Sequence, residues 1–156
     1  MASVIRRMDN LRIRKAQLTD LFAIAAVNLS AFGSTSHPYS LRQNFDLFND
    51  TYLVAELDNQ VIGYCLAAIR PGTEEGWILD LAVLSELQGS GIGRQLTKSA
   101  CELLCSRGVK LVYLTADPNT VNLRMFYESF GFNVARQEAD YFGPGKNRLV
   151  MRTTLY

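Results

Sequence analysis

The run Gln88-Gly89-Ser90-Gly91-Ile92-Gly93-Arg94 is where residue types and spacing imply chemistry most directly. Glycines let a backbone approach a ligand and take positive φ. The run lies between an apolar segment and an amphipathic one, so it reads as a turn from a strand into a helix. Main-chain amides at a helix start, and the positive end of its dipole, converge on one point and favour an anion there. Arg94 can add a full positive charge. Two phosphate motifs are excluded by counting. A Walker loop needs Lys and then Ser or Thr after its last glycine, and here Arg94-Gln95 follow Gly93. A dinucleotide fingerprint needs a third glycine three residues after the second. Counted from Gly89 and Gly91, that place is Arg94. The same glycines would also serve a turn that merely lets a helix pack tightly. The run by itself leaves both readings open.

Other reactive side chains point nowhere in particular. The 3 cysteines are an odd number without a CxxC spacing. Cys101 and Cys105 stand four apart on a predicted helix. A metal there would need further ligands, and the one histidine, His37, lies in a distant loop. The cysteines read as small buried hydrophobes and His37 as a loop residue, so no metal and no thiol nucleophile is expected. Sixteen Lys and Arg against 15 Asp and Glu leave a net charge of +1, which is no field for nucleic acid. Uncharged stretches such as Val61 to Ile69 fall far short of the ~18 apolar residues of a membrane span. Residues 1–8 carry charge but no apolar leader follows them. With the cysteine usage, this predicts a cytoplasmic protein. A chain of 156 residues predicts a single domain, residues 1–156, at ~150 residues per domain. Residues 1–9 read as a loose tail in which Met8 is an alternative start.

The elements that position these residues follow from periodicity. Leu11 to Arg14 alternates as a strand. Thr19 reads as the N-cap of a helix whose apolar stripe is Leu21, Ile24, Ala25 and Leu29. Ser40 and Gln43 have capping-box spacing before a short second helix. Tyr52 to Glu56 and Val61 to Ile69 form a hairpin turned at Asp58-Asn59. Trp77 to Val83 is a strand apolar enough to be buried on both faces. Ile92, Leu96, Ala100, Leu103 and Leu104 make the stripe of the next helix, which Gly108 ends. Then come a strand over Lys110 to Ala116, a helix from about Asn119 to Phe130, and strands over Phe132 to Ala139 and Arg148 to Leu155. The order is β α α β β β α β α β β, an α+β arrangement that is antiparallel in part and parallel near the middle.

Two blocks carry a resemblance. Leu81-Ala82-Val83 followed by Gln88-x-x-Gly91-x-Gly93 resembles the signature of the Gcn5-related N-acetyltransferase (GNAT) superfamily. Phe126-Tyr127-Glu128-Ser129-Phe130-Gly131-Phe132 resembles its Tyr-x-x-x-Gly-Phe block. The resemblance runs from about Leu11 to Leu155. It implies a mixed, mostly antiparallel sheet of six to seven strands flanked by about four helices, with a central splay between two parallel strands. It also implies acetyl-CoA as cofactor, with coenzyme A as product. The main-chain amides of Gln88, Gly89, Ser90, Gly91, Ile92 and Gly93 would hold the pyrophosphate, with Arg94 beside them. The Leu81-Ala82-Val83 strand would line the pantetheine, with Leu81 and Val83 offering it backbone groups. Asn119, Thr120 or Asn122 could hydrogen-bond it. Helix capping is the other role open to Asn119.

The implied reaction is direct acetyl transfer to a primary amine in a ternary complex. The Val83 N–H is the family-based donor to the oxyanion. Tyr127, matching the family's tyrosine, would protonate the leaving thiolate, while Phe126 reads as the core aromatic. A lysine amine of pKa ~10.4 is neutral about once in ~10³ at pH 7, a handicap of ~4 kcal/mol, whereas an α-amine of pKa ~8 needs less help. Candidate bases are Asp80 on the strand beside the acetyl group, Glu75 at its entrance, and Glu74. The likeness extends to bacterial ribosomal-protein N-terminal acetyltransferases. Their glutamate position, counted from the tyrosine, is Thr115 here, and their late Gly-Glu-Asp run is Gly145-Lys146-Asn147. These departures tilt the expected acceptor toward a small-molecule amine over a peptide amine. The loop over Phe32 to Leu41 and the aromatics Tyr39, Tyr141 and Phe142 would face it. A homodimer is compatible with the resemblance. The alternative from another class is a non-catalytic acyl-CoA-binding regulatory module.

Overall fold

The computed structural model describes residues 8–33 and 38–156. Most of the expected tail, His37 and the side chain of Tyr39 lie outside the described residues. The described strands are β1 (Arg12–Lys15), β2 (Tyr52–Leu57), β3 (Gln60–Ile69), β4 (Glu75–Val83), β5 (Leu111–Ala116), β6 (Asn133–Glu138) and β7 (Arg148–Thr154). The described helices are α1 (Leu21–Phe32), α2 (Pro38–Phe48), α3 (Ile92–Ser106) and α4 (Val121–Glu128). They follow one another in the expected order. Short 3-10 turns precede α1, β2 and α3.

The strands form one seven-stranded sheet in the order β1-β2-β3-β4-β5-β7-β6. The pairs β1/β2, β2/β3, β5/β7 and β6/β7 are antiparallel, and β4/β5 is parallel. This is the mixed α+β sheet that the resemblance implied. The parallel register runs from Glu75↔Leu111 to Trp77↔Tyr113 and stops there. Both strands continue, β4 as far as Val83. Past Trp77 the sheet neighbour that β4 keeps is β3.

The chain groups into two compact units, and β3, β4 and α3 contribute to both. The first holds residues up to Ala67 together with Asp80–Leu103. Its hairpin turn sits at Asp58 (φ 48°) and Asn59 (φ 66°), two successive left-handed residues that Asp and Asn tolerate better than other side chains. Ile24 and Val27 of α1 pack on Tyr52, Val54, Tyr64, Leu66 and Ala82, with Leu41, Phe45 and Phe48 of α2 partly buried against them. Each such apolar side chain contributes roughly 1.5–3 kcal/mol when fully buried. On β3, Gly63 is needed for close approach. A Cβ there would lie 3.0 Å from the Ala82 carbonyl oxygen and 3.2 Å from Leu96 Cδ1.

A partly buried ionic cluster ties the start of this unit together. Arg14 reaches Asp20 at 2.7 Å and Glu56 at 2.7 Å, and Arg12 Nε donates to the other Glu56 oxygen at 2.6 Å. The cluster explains a difference from the sequence reading. Thr19 does not cap α1. It lies inside a 3-10 turn, and α1 starts after Asp20, whose carboxylate is taken by Arg14 and by the Gln17 N–H at 2.7 Å. Ser40 likewise lies inside α2, which begins at Pro38, a residue suited to a first turn because it lacks the N–H that would go unpaired there.

The second unit holds Ala68–Leu79 and Leu104–Tyr156. Along β5, buried Val112, Leu114 and Ala116 alternate with half-buried Leu111, Tyr113 and Thr115. Buried Leu149 and Met151 pair with Ala116 and Leu114. Trp77 stacks on Tyr113 at 5.1 Å. β4 is not buried on both faces throughout, since Leu79 is half exposed. The predicted start of α4 at Asn119 is also corrected. Asp117 Oδ1 accepts the Asn119 N–H at 2.9 Å, holding that residue in the preceding turn, and Thr120 occupies the N-cap position.

Candidate active site

The glycine turn sits where the sequence puts it, between β4 and α3 in the first unit. Gly89 and Gly91 have φ of 79° and 92°, and a Cβ built on either meets no heavy atom within 4 Å. The turn therefore presents bare backbone to open space. The Gln95 N–H closes the first turn of α3 onto the Gly91 carbonyl at 3.1 Å. Ile92 and Gly93 precede that bond, so their amides have no carbonyl one turn back inside the helix. Ser90 Oγ is turned inward onto the Leu87 carbonyl. Gln88 is turned inward as well, its Nε2 donating to the Val83 carbonyl at 3.1 Å. Open space, main-chain donors and a helix start suit a diphosphate in shape and polarity. A side chain at Gly89 or Gly91 would occupy that approach.

Gln88 also couples the turn to the strand before it. Leu84 donates its N–H to the Ile62 carbonyl of β3 at 2.9 Å. Main-chain groups alternate in direction along a strand, so the Val83 N–H and C=O face away from β3. That is the edge which the parallel pairing has left by Trp77.

Asp80 lies three residues earlier on β4, half-buried. Tyr64 of β3 donates its hydroxyl to Asp80 Oδ2 at 2.6 Å, and Asn28 of α1 donates to the Tyr64 oxygen at 2.7 Å. Burial pushes the Asp80 carboxyl above the usual carboxylate range, while the hydrogen bonds from Tyr64 and from the Leu81 main chain pull the other way. Burial, with the Asp80 charge, also raises the Tyr64 hydroxyl, which stays protonated as a donor. Asn28 and Tyr64 were missed from sequence. A signal did exist: each is a lone polar head in an otherwise apolar run, and buried polar heads need partners.

The other candidates belong to the second unit. Tyr127 is buried on α4, edge-to-face with Phe126 at 5.2 Å and Phe132 at 5.9 Å. Phe126, expected in the core, is only half-buried and leans on Phe130 one turn on, at 5.4 Å. Asn119 and Asn122 are exposed around the start of α4. Glu75 pairs with Arg70 at 3.0 Å, and Glu74 with Lys110 at 2.7 Å. Glu75 opens β4, eight residues before Val83, a span of about 26 Å at ~3.3 Å per residue. Its partner there is Arg70, and Asp80 follows five residues later on the same strand. In the late loop, Tyr141 and Phe142 meet edge-to-face at 4.8 Å, and Arg148 lies 5.2 Å over the Phe142 ring. No described helix is long and apolar enough to cross a membrane.

Several known proteins are similar to this chain. An uncharacterized N-acetyltransferase of Methanocaldococcus jannaschii is 30% identical over 141 residues, covering 89% of this chain and 88% of that one. An N-alpha-acetyltransferase of Sulfurisphaera tokodaii is 25% identical over 158 residues, covering 92% and 93%. Among solved structures, Arabidopsis thaliana Naa50 in complex with the bisubstrate analogue CoA-Ac-MVNAL shares the fold. Its TM-score is 0.80 at 17% identity, covering 94% of this chain and 99% of that one. Residues 18–132 match the acetyltransferase (GNAT) family. An enzyme reading therefore replaces the regulatory-module alternative: the chain belongs to the acetyltransferase (GNAT) family and is an N-acetyltransferase.

Proposed function

We propose that this enzyme transfers the acetyl group of acetyl-CoA directly to the α-amine at the N-terminus of a peptide or protein. The reading departs from the small-molecule acceptor that the sequence favoured. Two relatives support the change. The Sulfurisphaera protein is an N-alpha-acetyltransferase, and the Arabidopsis neighbour holds an analogue that joins coenzyme A to a peptide. Chemistry supports it too. An α-amine of pKa ~8 is neutral about once in ten at pH 7, so one carboxylate base suffices where a lysine would ask for ~4 kcal/mol.

When bound, acetyl-CoA supplies an activated thioester carbonyl and a thiol leaving group. The amides of the Gln88 to Gly93 turn hold the diphosphate, with Arg94 adding charge. The Val83 N–H donates to the carbonyl oxygen. Asp80, directly or through one water, takes the proton from the ammonium so that the neutral amine attacks. This is the role that Thr115 cannot fill. Tyr127 gives its phenolic proton to the departing sulfur, and the proton that the attacking nitrogen sheds on becoming an amide restores the phenol. A phenol of pKa ~10 protonates a thiolate whose thiol has pKa near ~8.5 only with help from geometry, so this contribution is modest. Asn119 and Asn122 are the polar groups offered to the pantetheine.

One observation carries the reading: Asp80, fixed by Tyr64, shares a strand with the outward-facing Val83 amide and the glycine turn that follows it. The test is thiol release from acetyl-CoA with peptides bearing free or blocked N-termini, with lysine side chains, and with small amines. Turnover on free N-termini alone is expected. Turnover on small amines without any on peptides would refute the acceptor. Coenzyme A binding without turnover on the whole panel would refute the catalytic reading.

A further inference from the structure

The Asn28–Tyr64–Asp80 chain is more than packing. Asn28 is 2% exposed and Tyr64 0% exposed, so neither can trade its partner for bulk water. The bonds are directional. Tyr64 accepts from the Asn28 amide at 2.7 Å, and its single proton is therefore committed to Asp80 at 2.6 Å. A donor committed in this way favours the ionised carboxyl and fixes its rotamer. Tyr64 anchors one carboxylate oxygen, and the Leu81 main chain also hydrogen-bonds the group.

We propose that Tyr64, oriented by Asn28, is the positioning residue that keeps Asp80 ionised and aimed as the base for the incoming amine. The inference rests on the reading of Asp80 given above. The chemical step is a proton transfer: an N–H bond of the ammonium breaks, an Asp80 O–H bond forms, and the positive charge leaves the amine before it attacks. Tyr64 keeps its own proton throughout and touches no substrate. The ionisable groups near Asp80 among the described residues are Tyr64 of β3, in contact with it, and Tyr52 of β2 and Cys65 of β3, which feel its charge. Burial raises all three, so they stay protonated across a working pH range. Asp80 is the member of this group that titrates.

The experiment records pH profiles of kcat/KM by thiol release with an N-terminally free peptide, comparing wild type, Tyr64→Phe, Asn28→Leu and Asp80→Asn. Removing the hydroxyl costs the carboxylate a charge-assisted hydrogen bond. In Tyr64→Phe the acidic limb should move up by about one pH unit, giving roughly tenfold loss on that limb and recovery at higher pH. Asn28→Leu should move it the same way by less, and it carries the test if Tyr64→Phe folds poorly. Asp80→Asn should abolish the limb and most of the rate. A lowered melting temperature in Tyr64→Phe and Asn28→Leu with the acidic limb unmoved would overturn the proposal and leave Asp80 as the base. Retention of rate and limb in Asp80→Asn would instead overturn the reading beneath it.

Discussion

Gly91 offers the sharpest separation of backbone shape from charge. Its φ of 92° lies on the left-handed side, and a Cβ there meets open space. Gly91→Ala therefore creates no clash, and its cost is conformational, about 1–2 kcal/mol. At ~2–4 °C per kcal/mol for a chain of this size, the melting temperature should fall by roughly 2–8 °C while the fold survives. Gly91→Asn should fall less, because its side chain tolerates that conformation. Gly91→Asp matches Asn in size and adds one negative charge. About 4 Å from a diphosphate charge, at an effective dielectric of ~20, the repulsion is ~4 kcal/mol, or about a thousandfold in affinity. Titration calorimetry with coenzyme A across the three variants, at low and high salt, reads both quantities. The Asn variant should keep most of its affinity. The Asp variant should lose about two to three orders of magnitude, recovering in part with salt. Equal affinity of the Asp and Asn variants would remove the diphosphate from this turn.

Tyr127→Phe should lower kcat several-fold and leave coenzyme A affinity near wild type, as thiol release and calorimetry would show; an unchanged kcat at every pH takes Tyr127 out of the mechanism. For stability, the folded state holds the Asp80 proton more tightly than the unfolded chain does. That contribution is complete below the unfolded value near ~4 and is lost as pH rises through the raised folded value. Asp80→Asn should thus melt no lower than wild type at pH 7 while losing activity, and a large drop in melting temperature would contradict this. Asp20 and Glu56 titrate with the opposite sign. The Arg14 hydrogen bonds hold both carboxyls below their ordinary values of 3.8 and 4.5. Their contribution is therefore present above those values and is lost as pH falls through the folded ones. Arg14→Met should lower the melting temperature at pH 7 and shrink its difference from pH 3; an unchanged difference would mean that the cluster contributes nothing to acid sensitivity.

Much of this was legible because local chemistry and tertiary structure agreed. The Asp58-Asn59 turn, the stop at Gly108 and the glycine turn before α3 each demand positive φ, which few residues supply, so composition betrays them. The helix starts were less legible. Thr19 has the side chain of a cap, but Arg14, distant from a capping motif, claims Asp20 and sets where α1 begins. Ser40 and Asn119 failed similarly, overruled by Pro38 and by the Asp117 turn. Within the site, spacing alone placed the glycine turn between β4 and α3, while its reading as a phosphate cradle came with the resemblance. Asp80 could be named, but its environment could not. Its partner Tyr64, and Asn28 behind that, lie far apart in the chain, and no periodicity links them. Glu75 looked equivalent to Asp80 in composition. Arg70, across a tight turn, neutralises it at the far end of the strand.

Gly63 carries a consequence for anyone engineering this enzyme. Replacing a strand glycine with alanine is an ordinary route to thermal hardening, because it removes freedom from the unfolded chain. At this position the added methyl would press on the Ala82 carbonyl oxygen from 3.0 Å and meet Val83 Cγ2 at 3.4 Å. That oxygen belongs to the peptide unit that carries the Val83 N–H, the donor proposed above for the thioester carbonyl. A methyl placed here by rule would instead force β4 to give by a few tenths of an ångström. Gly63→Ala should therefore lower the melting temperature, the reverse of what this substitution usually brings to a strand.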